Sequence, residues 1–328
     1  MASDSIAATE LTAQQQKASG FGDWVFRAIT LVCAFSVLAL VVILGMQLYL
    51  GSRPTLHAYG WKLFFDSNWN AEAKEYGALP FIYGTLVTSV IALIIAVPLS
   101  IATAVYLTDL APLWLRQPVV STIEMLAAVP SVIWGLWGIF IMVPWLRLSI
   151  FPLLKRYLGP IPVFGQLFQG PIFGIGFLSA GIIVAIMILP IITAVSREIL
   201  RSVPDLQREA AYALGATRWE VTRIAVLSYA RRGLFGAAVL GLGRALGETM
   251  AVTMVIGNNP QISKSLFAPG YTLASVIANE FGEAGSNPFY TSALFELGLI
   301  LLGITVVINI VALLMVRAVT TEETRRVA

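Results

Sequence analysis

The sequence predicts an all-α polytopic membrane protein with six transmembrane helices, and three observations carry that prediction. Hydrophobic residues make up 58% of the 328 and charged residues only 12%, a balance outside the range of water-soluble globular domains. A bilayer crossing takes about 20 apolar residues, and six stretches meet that length, at 25–49, 81–107, 118–143, 172–195, 233–257 and 293–316. The basic residues between them are unevenly shared. With the N-terminus inside, Lys17, Arg27, Arg116, Arg197, Arg201, Arg208, Arg218, Arg223, Arg231, Arg232, Arg317, Arg325 and Arg326 fall on the cytoplasmic side. Arg53, Lys62, Lys74, Arg147, Lys155, Arg156 and Lys264 fall outside, and this bias sets both termini in the cytoplasm. The net charge of +3 reflects the same asymmetry and implies no nucleic-acid partner.

A polar tail over 1–24, rich in Ala, Gln and Ser, is expected to be disordered in part. The first span follows, within a segment 25–80 that also holds an outer loop. No charge lies between Arg27 and Arg53, which is too long an apolar run for a cleaved signal, so the helix is expected to be retained. The outer loop mixes Trp61, Phe64, Phe65 and Trp69 with Lys62, Asp66 and Glu72, as a segment lying in the bilayer interface does. A core of 81–316 holds the other five spans, and a short cytoplasmic tail of 317–328 closes the chain. Pro98, Pro130 and Pro190 are expected to kink the second, third and fourth spans. Pro144, Pro152, Pro160, Pro162 and Pro171 predict an irregular, stiff outer loop over 144–171.

The longest basic loop, 197–232, reads as helix, turn, helix. Pro204 suits a first helical position and Asp205 places an anion in the first turn. Leu206, Ala210, Ala213 and Leu214 form a small apolar stripe opposite Asp205, Gln207, Arg208 and Glu209. Gly215 fits a left-handed cap, and Thr217 with Glu220 has capping-box spacing for the next helix. A short amphipathic helix under a membrane domain suits insertion into another protein's groove, or else lies on the lipid headgroups.

Glu209, Ala210 and Ala211 with Gly215 resemble the E-A-A-x-x-x-G coupling motif of type I ABC importer permeases. That motif usually continues to isoleucine and Leu-Pro. Ala225, Val226, Leu227 and Ser228 stand at the matching positions here, so isoleucine and proline are missing.

The fifth span carries Gly241-Leu242-Gly243-Arg244-Ala245-Leu246-Gly247-Glu248-Thr249-Met250. For a helix starting near Gly233, Arg244 lies about 16 Å in, near the midplane. An arginine there costs about 2.5–3.5 kcal/mol on insertion scales, so it should face a cavity or a partner. Glu248 stands one turn on and can pair with it, while Gly243 and Gly247 would admit a neighbouring helix. Arg244 has three readings: contact with a translocating anion, a structural pair with acids, or part of a proton relay. Its planar guanidinium suits bidentate contact with an oxyanion. Glu124, about 9 Å into the third span, can meet Arg244 across a helix interface or snorkel to water. Glu296 begins the sixth span, where snorkelling is the plainer expectation.

Much is excluded by what the chain lacks. Cys33 is the single cysteine, so no intrachain disulfide forms, and with His57 the single histidine neither a His/Cys metal cluster nor Ser-His-Asp machinery is expected. No Gly-x-x-x-x-Gly-Lys-Ser/Thr loop occurs, so any ATP that drives this chain binds elsewhere.

The strings from Glu124 to Ser131, Gly241 to Val252 and Glu296 to Leu301 resemble the phosphate ABC transporter permeases, of the PstC type, and the likeness extends from Tyr76 to Val316. The resemblance implies a second homologous permease subunit, a homodimeric ATP-binding subunit at the coupling loop and a phosphate-binding protein outside. It also implies no cofactor on this chain, with ATP and magnesium held by the ATPase, and no bond-breaking chemistry of its own. It implicates Arg244 and Glu248 in phosphate passage, with Glu124 a weaker third. Alternatives are the sister phosphate permease, a sulfate or molybdate permease, a proton-coupled carrier using Arg244, Glu124 and Glu248, or a membrane signalling subunit that moves nothing.

Overall fold

A computed structural model describes residues 22–162, 164–285 and 287–315; the tails over 1–21 and 316–328, and with them most of the expected disorder, lie outside the described residues. Among the described residues six helices are long and apolar enough to cross a membrane, and no strand is present. They are α1 (Gly22–Tyr59), α2 (Leu79–Leu110), α4 (Ser131–Leu158), α5 (Phe177–Arg201), α7 (Arg218–Leu246) and α10 (Pro288–Met315). Shorter helices lie between them: α3 (Leu113–Ala128), α6 (Asp205–Ala213), α8 (Met250–Ile256) and α9 (Leu273–Ala284).

The chain divides into two units, residues 1–51 and 52–328. In the first, α1 exposes nearly every large side chain, among them Phe35, Leu38, Val41 and Ile43. An all-apolar exposed helix is a membrane span and not a surface helix.

In the second unit α5 is the most buried span and forms the axis of the core. Small residues let α2 and α5 pack closely, with Ala92, Ala96, Ala180 and Ala185 fully or almost fully buried and a side chain at Gly181 colliding with Ile91. The Ser100 hydroxyl adds a bond to the Leu189 carbonyl across the pair. Helix α7 lies on α5 through Gly233, Ala237 and Gly241; a Cβ at Gly233 would sit 2.6 Å from Ile199, and one at Gly241 2.5 Å from Ile192. Within this chain the expected close approach at Gly243 and Gly247 is not made. Gly243 faces open space, and the only atom near a Cβ at Gly247 is the Gly243 carbonyl of its own helix.

Several span limits also change. Pro130 takes an extended ψ of 141° and separates α3 from α4, because a residue before or at proline leaves the helical region readily. The third crossing is thus Ser131–Leu158 and not 118–143, and Glu124 lies on the preceding helix α3. The expected irregular loop over 144–171 is helical as far as Leu158, since Pro144 and Pro152 sit in the first turns of helical segments. Pro98 and Pro190 lie inside unbroken helices.

At the end opposite α6, Leu63, Tyr76, Phe81, Tyr271, Leu273 and Tyr290 form an aromatic-rich core. Trp69 and Tyr290 both donate to Glu280 on α9, so Trp69 is packed there, while Trp61 and Phe65 stay exposed. Burial pushes the Tyr271 phenol up to about 12, with Glu280 acting in the same direction against a bond from Asn279. Glu296 does not snorkel: it is 1% exposed and borders a cavity of about 500 Å³ lined by Leu86, Ile300 and Ile304. Beside it the Thr55 hydroxyl is engaged with the Ser52 carbonyl and with Ser292.

Candidate functional site

The exposed helix α6 follows the local signals. Pro204 is its N-cap and Asp205 its first residue, one position from the expected start. At its far end Gly215 has φ +80°, its N–H donates to the Tyr212 carbonyl, and the Ala216 N–H reaches the Ala211 carbonyl. This double closure is the Schellman arrangement, which needs a left-handed residue at the glycine position. Thr217 and Glu220 then exchange the two bonds of a capping box at the start of α7. Helix α6 buries none of its side chains, and Leu206 and Leu214 are 73% and 89% exposed. Glu209 and Ala210 are exposed and Ala211 is half-buried. An apolar stripe left open to this degree is a surface made for contact.

Arg208 turns the other way. Its guanidinium lies 2.6 Å from Asp109 at the end of α2 and donates to the Leu200 carbonyl at 3.1 Å, while Thr222 donates to the second Asp109 oxygen at 3.2 Å. Asp109 was not singled out by sequence, although it is the only acid between Glu75 and Glu124.

The second site lies where the fifth crossing breaks. Helix α7 ends at Leu246, and Gly247, Glu248 and Thr249 link it to α8, so the pass is not one helix over 233–257. Arg244 occupies the last turn of α7, not the middle of an unbroken span. Its guanidinium lies 4.0 Å from the Glu248 carboxylate, and the two side chains differ sharply: Arg244 is 41% exposed and Glu248 8%. The pair expected from sequence forms, yet at 4.0 Å it is loose, and the arginine keeps donors free for another oxyanion. Glu124 is not brought to Arg244; it lies 3.7 Å from Arg197, a 13% exposed side chain at the end of α5 that also bonds Glu198 at 3.2 Å. Among the described residues no cluster of His, Cys, Asp and Glu could hold a metal.

Six helices long and apolar enough to cross a membrane, a capped amphipathic helix between two of them and an ion pair at a helix break are the parts of a membrane transport permease. Its fold is that of the ABC importer permeases: a chain of the MetNI methionine ABC transporter, solved in inward-facing conformations, superposes with a TM-score of 0.52 at 20% identity, covering 74% of this chain and 94% of that one. The chain belongs to the family of binding-protein-dependent transport system inner membrane components, whose model matches residues 96–321. It is similar to the phosphate transport system permease protein PstC of Xylella fastidiosa, 46% identical over 92% of each chain. The protein of that name from Pasteurella multocida is 48% identical over 92% of this chain and 93% of its own. A probable counterpart from Methanocaldococcus jannaschii is 40% identical over 88% and 91%.

Proposed function

We propose that this chain is a transmembrane permease subunit of an ATP-driven importer and that its cargo is inorganic phosphate. The observation that carries the reading is the similarity, over nine-tenths of both chains, to relatives named phosphate transport system permease, joined to a half-open guanidinium at a break in the fifth crossing. The chain itself performs no hydrolysis; a separate homodimeric ATPase binds ATP and magnesium and docks on α6 through the face bearing Glu209, Ala210, Ala211 and Gly215. A second, homologous permease completes the pathway, and an extracytoplasmic phosphate-binding protein delivers the anion. Both termini lie in the cytoplasm, a placement the distribution of lysine and arginine supports.

Phosphate recognition follows from Arg244. A guanidinium offers a planar fork to two oxygens of a tetrahedral oxyanion, and Glu248 limits the net charge so that the anion is released and not trapped. Glu124 is assigned to holding Arg197 in place and not to the anion. The test is uptake by the reconstituted importer, with phosphate, sulfate and molybdate in competition. Phosphate-selective, ATP-dependent uptake supports the reading. Uptake by this chain alone in ATP-free vesicles would show a secondary carrier, and preference for sulfate would reassign the cargo.

A further inference from the structure

Helix α6 has no buried side chain, so apolar packing cannot hold it firmly to the spans above. Its grip is polar and is centred on one carboxylate. Asp109, 10% exposed, accepts from Arg208 of α6 on one oxygen and from Thr222 of α7 on the other, and is itself part of the last turn of α2. Arg208 adds the carbonyl of Leu200, near the end of α5. Three helices therefore meet at a single acid, and Arg208 links a fourth. Just beyond it Ala104, Val105, Leu200, Val226, Ala230 and Leu234 form a separate buried cluster joining α2, α5 and α7.

We infer that Asp109 is a positioning residue that ties α6 to the end of α2, so that displacement of α6 is delivered to α2, α5 and α7 together. This rests on the reading of α6 as the ATPase contact. The chemistry suits the task. A charge-assisted bond at 2.6 Å between side chains that are 21% and 10% exposed is short, directional and little screened. It transmits a pull as well as a push, which an apolar contact of a few exposed side chains does not. The Thr222 hydroxyl lies beside the carboxylate, its single proton shared between Asp109 at 3.2 Å and the Arg218 carbonyl of its own helix at 3.0 Å, so Arg208 supplies the stronger of the two bonds. The buried cluster then makes the three span ends move as one body, because a close-packed interior shifts and does not deform.

The inference is tested in the complete importer, reconstituted in vesicles, by measuring phosphate taken up per ATP hydrolysed in Asp109→Asn and Arg208→Gln. A purely structural role would lower uptake and hydrolysis together and leave that ratio alone. The expected result is a ratio reduced about tenfold, the scale of one lost charge-assisted bond, with the ATPase still co-purifying. Arg208→Lys should recover part of it, since it restores charge but not the fork. Should either single variant fail to assemble, the double variant Asp109→Asn with Arg208→Gln leaves no unpaired charge and carries the test. A wild-type ratio in the variants that assemble overturns the inference. Glu209→Lys, at an exposed position of α6 that makes no bond to Asp109, reports on the underlying reading separately: unaltered ATPase binding there would sink the docking role itself.

Discussion

Neutralising Arg244 should cost this protein more stability than neutralising Glu248, although the two form one ion pair. At 4.0 Å and an effective dielectric near 20 the bare attraction is about 4 kcal/mol. Arg244 is 41% exposed, so screening reduces the net worth of the pair to about 1 kcal/mol. Glu248→Gln therefore removes about that much and leaves a guanidinium that water can still reach. Arg244→Gln leaves a carboxylate at 8% exposure without its cation, for which the penalty is about 3–5 kcal/mol. Relaxation and water penetration relieve part of this, so the expected gap between the variants is about 2 kcal/mol. The assay is thermal unfolding of the purified protein in detergent, followed through its 8 tryptophans, where such a gap is worth about 3 °C. Equal destabilisation, or a larger loss for Glu248→Gln, would refute the asymmetry. The double variant Arg244→Gln with Glu248→Gln should regain stability while failing to carry phosphate. Wild-type uptake by that variant would reduce the pair to a structural role.

Other expectations are narrower. Gly215→Ala meets no steric obstacle but forces φ +80° on a residue with a Cβ, at about 1–2 kcal/mol, and should fray α6 and weaken ATPase co-purification while the spans melt normally. Gly84→Ala drives a Cβ into the Tyr271 carbonyl oxygen, a backbone atom held in the aromatic-rich core, and should lower the yield of folded protein more than Gly215→Ala does, as read by size-exclusion after detergent extraction. Glu124→Gln should leave phosphate uptake within about twofold of wild type, because Arg197 keeps Glu198 and no contact to Arg244 is lost; a tenfold loss would restore Glu124 to the pathway. In a spectrophotometric pH titration Tyr271 should ionise near 12, later than an ordinary phenol. Its folded value lies above its unfolded one, so its contribution to stability is complete below pH 10 and lost as pH rises towards 12.

Local signals were read well from sequence, because they involve few residues and fixed chemistry. Gly215, Thr217 and Glu220 form the cap and the capping box with the spacing expected of them. Long apolar runs were equally legible, since length and polarity alone define a span. Two kinds of feature were not. Apolarity does not mark where a helix breaks inside the membrane: Pro130 is legible as a kink but not as the boundary that leaves Glu124 on a separate helix, and nothing in the apolar run marks the Gly247–Thr249 link that puts Arg244 in the last turn of α7. Partner choice across helices was not legible either. Glu124 pairs with Arg197 and Arg208 with Asp109, at sequence separations where spacing carries no information. Likewise Gly243 and Gly247 match the small-x-x-x-small pattern, but Gly233, Ala237 and Gly241 face α5, and only the rotation of the helix decides between them.

During synthesis α5 emerges before α7, and the two are unequal as membrane segments. Helix α7 is the least apolar of the six spans, begins among arginines and ends with Arg244, whose entry into hydrocarbon alone is opposed by about 2.5–3.5 kcal/mol. Its glycine seam offers lipid little, since lipid chains gain nothing from a flat helix face, but it matches Ile188, Ile192 and Ile199 of α5. Helix α7 should therefore partition poorly from the translocon unless α5 waits beside it. A nascent chain whose α5 is replaced by a polyleucine helix would still place four other spans in the bilayer and leave α7 in the cytoplasm. The membrane residence of α7 is then a property of the pair, inherited from a helix made earlier on the same ribosome.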